Sequence, residues 1–149
     1  MNLQVIQNRI YEIIPQLLDT VGFCNGATHI ELKIDNNNNI YLIEINPRGG
    51  GDEISSRLVE LSTGYDYIKG MINVALGQFE RPILSPQCYA GIYYLCSQVK
   101  NKIDFFINAD NQDWLVEKKV IDYNLTTATG NYDRNGYLIY KSSKKIEIL

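Results

Sequence analysis

The stretch Gly26-Ala27-Thr28-His29-Ile30-Glu31-Leu32-Lys33-Ile34-Asp35, followed by Asn36-Asn37-Asn38-Asn39 and then Ile40-Tyr41-Leu42-Ile43-Glu44-Ile45-Asn46-Pro47-Arg48-Gly49-Gly50-Gly51, decides how the chain folds. Two runs, Ala27 to Asp35 and Ile40 to Asn46, have the alternating character of strands. The asparagine quartet between them tolerates positive φ and bonds to its own backbone, so it reads as a hairpin turn. A loop of all four asparagines, or of Asn37-Asn38 alone, pairs Asp35 with Ile40, Glu31 with Glu44 and His29 with Asn46. An odd loop slips that pairing by one residue. In the even register Thr28, Ile30, Leu32 and Ile34 share a face with Tyr41, Ile43 and Ile45, and His29, Glu31, Lys33, Glu44 and Asn46 occupy the other.

That register sets two carboxylates opposite each other, with Cβ atoms ~5 Å apart. Ionised together at an effective dielectric near ~20, they repel by on the order of 3 kcal/mol. A cation, a proton or solvent must relieve this. Two carboxylates and an amide oxygen on one face suit a hard, oxygen-preferring cation such as magnesium, which completes its shell with phosphate oxygens and water. Arg48, just past Pro47, adds a guanidinium fork for phosphate or carboxylate. The competing reading is a surface ladder in which Lys33 neutralises part of the charge and little stability is gained. The glycines at 49–51 are not followed by Lys-Ser or Lys-Thr, so they form no P-loop; alone they read as a turn.

Upstream, Val5, Ile6, Ile10, Ile13, Ile14, Leu17 and Leu18 make one apolar stripe, which predicts a helix from Asn2 to about Thr20. Pro15 is expected to kink or split it near Ile14, and Gly22 to end it. Downstream, short helical patterns run through Ile54, Leu58 and Leu61 and from Tyr65 or Tyr67 to Ala75, closed by Gly64 and Gly77. Composition shifts after Pro82. Gln87 to Gln98 is rich in Tyr, Ile and Cys without helical spacing, and Lys102 to Ile107 is expected as a strand. Trp114 to Tyr123 stays open between strand and helix; Asn131 to Gly136 reads as a turn and Tyr137 to Tyr140 as a strand. The expected fold class is α+β, divided into residues 1–82 and a small β-rich subdomain of residues 83–149.

The chain has 149 residues and a net charge of -3, with 45% hydrophobic and 21% charged residues, which excludes general disorder and a broad basic footprint for nucleic acid. No apolar run approaches the ~18 residues of a membrane span, and no signal peptide is apparent. Cys24, Cys88 and Cys96 are odd in number and contain no CxxC pair, so buried free thiols in a reducing cytoplasm are expected.

The motif Gly26-Ala27-Thr28-His29-Ile30-Glu31, then Ile43-Glu44-Ile45-Asn46-Pro47-Arg48-Gly49-Gly50-Gly51, resembles the C-terminal half of an ATP-grasp domain, best that of the carboxylate–amine (L-amino-acid) ligases. The likeness continues through Gly64 and Ala75-Leu76-Gly77 and returns at Asp133-Arg134-Asn135-Gly136-Tyr137-Leu138-Ile139. It implies an ATP-grasp C-terminal lobe followed by the small β-rich unit, a partial domain. Magnesium (or manganese) bridging ATP phosphates would be held by Glu31, Glu44 and Asn46, and Arg48 would act catalytically on the γ-phosphate or acyl-phosphate. Gly50 and Gly51 would let backbone amides approach the acyl group, and His29 is a further substrate-side candidate.

The implied partners are ATP, a small carboxylic-acid or amino-acid substrate, and the N-terminal and central lobes of the same polypeptide. Nucleic acid and membrane are not expected partners, and a homodimer is left open. Alone, the chain is expected to be inactive. Two alternatives stand beside this reading: a non-catalytic binding or assembly module built on a degenerate ATP-grasp half, and a biotin-carboxylase- or carbamoyl-phosphate-synthase-like member.

Overall fold

The computed structural model describes residues 3–85 and 88–147. The chain is α+β, and its residues fall into two compact units: Met1–Gly50 with Lys69–Glu80, and Gly51–Ile68 with Arg81–Leu149. The compositional boundary at residue 82 lies close to the division after Glu80, while residues 51–68 group with the C-terminal unit. Among the described residues no helix is long and apolar enough to cross a membrane.

In the first unit, helix α1 (Leu3–Thr20) runs unbroken through Pro15, so the split anticipated near Ile14 does not occur. The proline deletes one backbone donor, but the apolar stripe on either side of it faces the same way, with Ile6 buried and Ile14, Leu17 and Leu18 half-buried. Gly22, at φ +69°, ends the helix, and the Phe23 amide closes back on the Leu18 carbonyl. Arg9 Nη1 donates to the Asn38 carbonyl at 2.8 Å and ties the helix to the hairpin loop.

Strands β1 (His29–Ile34) and β2 (Ile40–Asn46) form an antiparallel hairpin. Glu31 faces Glu44 and His29 faces Asn46, as expected, but Ile34 rather than Asp35 faces Ile40. The loop is odd: the Asn38 amide donates to the Asp35 carbonyl, Asn38 takes φ +63°, and Asp35 and Asn39 close the turn. The Asp35 carboxylate accepts hydrogen bonds from the backbone amides of Asn37 and Asn39, the Asn39 side chain and the Tyr41 hydroxyl. The Asn39 amide chiefly, with these other donors, holds that carboxyl below its usual range. The one-residue slip is undone by a bulge, because Leu32 faces Leu42 while Glu31 faces Glu44, leaving Ile43 unpaired. Two departures from the expected register therefore cancel at the carboxylates. Between them the faces change: Tyr41 moves opposite Lys33 on the polar side, Leu42 joins the apolar side opposite Leu32, and Ile43 is exposed. Helix α3 (Tyr67–Ala75) contributes most of its length, from Lys69 onward, to this unit, and Gly77 follows it at φ +68°.

The second unit is built on a three-stranded antiparallel sheet in the order β3 (Tyr89–Leu95), β5 (Gly136–Ser142), β4 (Leu115–Val120). The ambiguous Trp114 region is thus a strand. Central strand β5 is buried on both faces, since Leu138, Ile139 and Tyr140 all lie within the core. Lys102 to Ile107 is not a strand: a 3-10 turn (Ser97–Lys102) leads into the short helix α4 (Ile103–Ile107). The reason lies in the aromatic pair. A helical turn sends Phe106 and Ala109 together into the core beside Leu95 and Leu138, while Phe105 stacks on Trp114 at 5.5 Å. An extended chain would have sent Phe105 and Phe106 to opposite faces. Burial of each large core side chain contributes roughly 1.5–3 kcal/mol.

Residues 51–68 comprise a π-helical turn (Ile54–Leu58) and helix α2 (Val59–Thr63), which ends at Gly64 with φ +74°. Glu117 of β4 accepts from the Tyr137 hydroxyl and pairs with Arg57 at 3.3 Å. That hydrogen bond is the main reason the Tyr137 phenol is pushed up to about 12. Of the cysteines, Cys96 is buried as expected and Cys88 half-buried, but Cys24 is exposed; all are free thiols. Gln87 of the predicted run lies outside the described residues.

Candidate functional site

The polar face of the hairpin brings together the ring of His29 and the carboxylates of Glu31 and Glu44, whose potential ligand atoms all lie within 4.8 Å of one another. His29 is half-buried, and both glutamates are exposed. No ion pair reaches either glutamate among the described residues, and Lys33 faces Tyr41 instead of neutralising them. The ladder reading, with Lys33 as counter-charge, is therefore not what the side chains do. The bulge beside Glu44 adds local twist and aims the glutamate independently of the rest of the strand.

Asn46 lies opposite His29, and its Nδ2 is buried without a hydrogen-bond partner. Its main chain is committed, since the carbonyl accepts from Thr28 Oγ1 at 3.0 Å and from the Arg48 amide at 2.8 Å. A buried amide nitrogen with no acceptor is unusual in a folded protein. Turning the amide over exchanges Nδ2 for Oδ1, so the side chain offers either a donor or an acceptor at this position.

Arg48 follows β2, is exposed, and donates through Nη1 to the Gly49 carbonyl at 2.9 Å. It sits at a cleft of about 520 Å³ whose walls include Gly26, Ala27, Pro47, Met71 and Val74. Arg48 is the charged group of that lining. Gly50 is the last residue of the first unit and Gly51 the first of the second. A Cβ on Gly51 would meet nothing within 4 Å, so its glycine is not required by the packing of the chain itself. The space beside it is open to a ligand.

The structure thus unites His29, Glu31 and Glu44 in one cluster, with Asn46 beside them on the same face. Arg48 and Gly50 follow in the chain of the same unit, and Gly51 begins the other. Sequence reasoning placed His29 on this face as a substrate-side candidate but missed Tyr41 on it. The first was legible in the H-x-E spacing. The second depended on a bulge with no local signature.

Residues 3–57 match the ATP-grasp domain family. Among solved structures the chain is similar to an L-amino acid ligase from Bacillus licheniformis, at 18% identity and a TM-score of 0.64 over 93% of this chain and 36% of that one. The sequence match is confined to residues 3–57, and the structural likeness shows a shared fold. A second neighbour in structure is a biotin carboxylase–β,γ-ATP complex from Campylobacter jejuni, with 18% identity and a TM-score of 0.56 over 94% of this chain and 32% of that one. The chain spans about a third of the length of each neighbour. No curated protein sequence matches it. The ATP-grasp match covers α1, the hairpin and the glycine loop, so it includes His29, Glu31, Glu44, Asn46, Arg48, Gly50 and Gly51.

Proposed function

We propose that this chain is the metal- and phosphate-binding part of an ATP-dependent carboxylate–amine ligase of the cytoplasm, using magnesium or manganese and ATP as co-substrate. The observation that carries the reading is the convergence of His29, Glu31 and Glu44 with no ion pair to either glutamate among the described residues. The residues fit a divalent ion: two carboxylates and an imidazole supply negative and neutral donors, and the orphaned Asn46 amide supplies one more polar group. When bound, the ion neutralises charge on the phosphate oxygens.

The chain's own residues do the rest. Glu31 and Glu44 anchor the site and orient the nucleotide's phosphates. Arg48 places its guanidinium against the transferring phosphoryl group, where charge develops as a substrate carboxylate oxygen attacks the γ-phosphorus and ADP leaves. The amides of Gly50 and Gly51 steady the resulting acyl-phosphate. An amine then attacks the carbonyl carbon, the C–O bond to phosphate breaks, and the amine sheds its proton. The lysine-bearing lobe and the amine-binding surface come from the remainder of the ATP-grasp domain. The acid is a small carboxylic or amino acid.

Calorimetric titration with Mg-ADP tests this. Glu31→Gln is expected to weaken binding at least about tenfold, which is 1.4 kcal/mol. Equal affinity for the variant and the parent chain would defeat the assignment.

A further inference from the structure

Asp52 and Glu53, immediately after the glycine loop, both adopt left-handed backbone conformations, at φ +52° and +62°. Asp tolerates that region better than most residues and Glu does not, and two such residues in succession at the exit of a glycine run need an external hold. The hold on Asp52 comes from 82 residues away. Arg134 Nη1 and Nη2 donate to the two Asp52 carboxylate oxygens at 2.9 and 3.3 Å. The guanidinium is itself fixed, lying 3.5 Å from the centroid of the Tyr94 ring and donating to Asn131 Oδ1 at 2.7 Å. Its platform is equally tied down, because Oδ1 of buried Asn135 accepts from the Thr126 amide and the Asn135 amide donates to the Leu95 carbonyl. Glu53 is held locally, with Ser56 Oγ donating to its carboxylate and the Arg57 and Leu58 amides converging on its carbonyl. The π-helical turn begins at the next residue.

All of these groups belong to one compact unit, and Gly51 is bonded directly to Asp52. We infer that Arg134 is a positioning residue: its two-pronged grip on Asp52 fixes the left-handed exit of the glycine loop and so presets the Gly50 and Gly51 amides. The effect on the acyl group rests on the ligase reading; the ordering of the loop does not. This gives the Asp133–Ile139 stretch a task beyond forming the start of β5. A lysine at 134 keeps the charge but loses the fork, and a planar bidentate contact is what the geometry uses.

The test compares amide hydrogen exchange in the full chain and in Asp52→Asn, Arg134→Gln and Arg134→Lys. Asp52 is exposed and asparagine nearly isosteric, so Asp52→Asn keeps the fold even if a change at Arg134 does not. Exchange at Ile54, whose amide donates to the Gly51 carbonyl, and at Arg57 and Leu58, whose amides donate to the Glu53 carbonyl, is expected to accelerate about tenfold in each variant, with β3 and β5 protection unchanged and no further gain in the double variant. Asp52→Gly, which removes the conformational conflict, is expected to make loop protection indifferent to Arg134. Unchanged loop exchange in folded Asp52→Asn, or additive effects in the double variant, would overturn the inference. In parallel, acetylphosphonate, a stable acyl-phosphate mimic, is expected to bind Asp52→Asn about tenfold more weakly than the parent chain while Mn-ADP affinity is kept. Loss of loop protection with no acetylphosphonate or Mn-ADP binding even to the parent chain would sink the ligase reading and leave the loop latch standing.

Discussion

Replacing Glu44 by glutamine should stabilise the metal-free chain and weaken the metal-bound one, and this reversal separates a binding site from a decorative cluster. The carboxylate oxygens of Glu31 and Glu44 lie within 4.8 Å. At that distance two unit charges repel by about 1 kcal/mol in a water-like dielectric and about 3 kcal/mol at an effective dielectric near 20. Both side chains are exposed, so the lower figure applies. In EDTA, Glu44→Gln should therefore gain about 1 kcal/mol, a rise in Tm of about 2–4 °C. With manganese at about a hundred times the parent Kd, the parent chain gains about 2.7 kcal/mol by mass action. Loss of a direct carboxylate ligand raises Kd about a hundredfold, beyond which the variant gains only about 0.4 kcal/mol. The stability order should thus invert between EDTA and manganese in urea denaturation followed at both conditions. A variant less stable than the parent in EDTA would mean that Glu44 has a protein partner. Equal manganese stabilisation would mean that it is no ligand.

Tyr137→Phe removes the hydroxyl that donates to Glu117 and should cost about 1 kcal/mol at neutral pH. Because the folded phenol is raised from 10.0 to about 12, its contribution is complete below pH 10 and disappears as pH climbs through about 12. The parent chain should lose stability across that window and the phenylalanine variant should lose less, as read by denaturation series at successive pH values; parallel curves would contradict the linkage. Phe106→Ala empties the centre of the second unit and should cost about 3–5 kcal/mol, seen as a loss of the near-ultraviolet signal of the Phe105–Trp114 stack.

The hairpin and its facing glutamates were legible because strand alternation and the asparagine quartet are local signals. The route by which the register was reached was not. Four identical asparagines do not reveal that Asn38 takes the left-handed position, and nothing around Ile43 marks it as the extra residue of a bulge. The correct pairing at Glu31 survived because the apolar and polar faces had to match at both ends, which forces an odd loop to be answered by an odd insertion. Lys102 to Ile107 went astray for a different reason. Its β-branched and aromatic composition favours a strand, but the core beside Leu95 and Leu138 accepts Phe106 and Ala109 from one side of a helical turn. Pro15 likewise stays inside α1 because the stripe on both sides of it is worth more than one backbone bond. At the site, residue types and spacing put forward Glu31, Glu44, Asn46 and Arg48 as candidates, whereas the Asp52–Arg134 contact joins positions too distant in sequence for any pattern to couple them.

The two units follow stability to different degrees, and the contrast is itself evidence for where chemistry resides. In the C-terminal unit Glu117 is answered by Arg57 and Tyr137, Asp52 by Arg134, and Asp110 by Lys118. Along Glu31 to Asn46 the same chain leaves two carboxylates facing each other and an amide nitrogen buried without an acceptor. Each has an inexpensive remedy: glutamine at 44 and a small apolar residue at 46. The C-terminal unit has an orphan of its own, since Arg57 Nε is buried without a partner, but the carboxylates named there are paired; on the ligase reading proposed above, the open groups of the hairpin are kept for something outside the chain. The charge balance names the class of occupant. On that reading the carboxylates would take a cation, and a cation together with Arg48 would take a polyanion such as a nucleotide's phosphates.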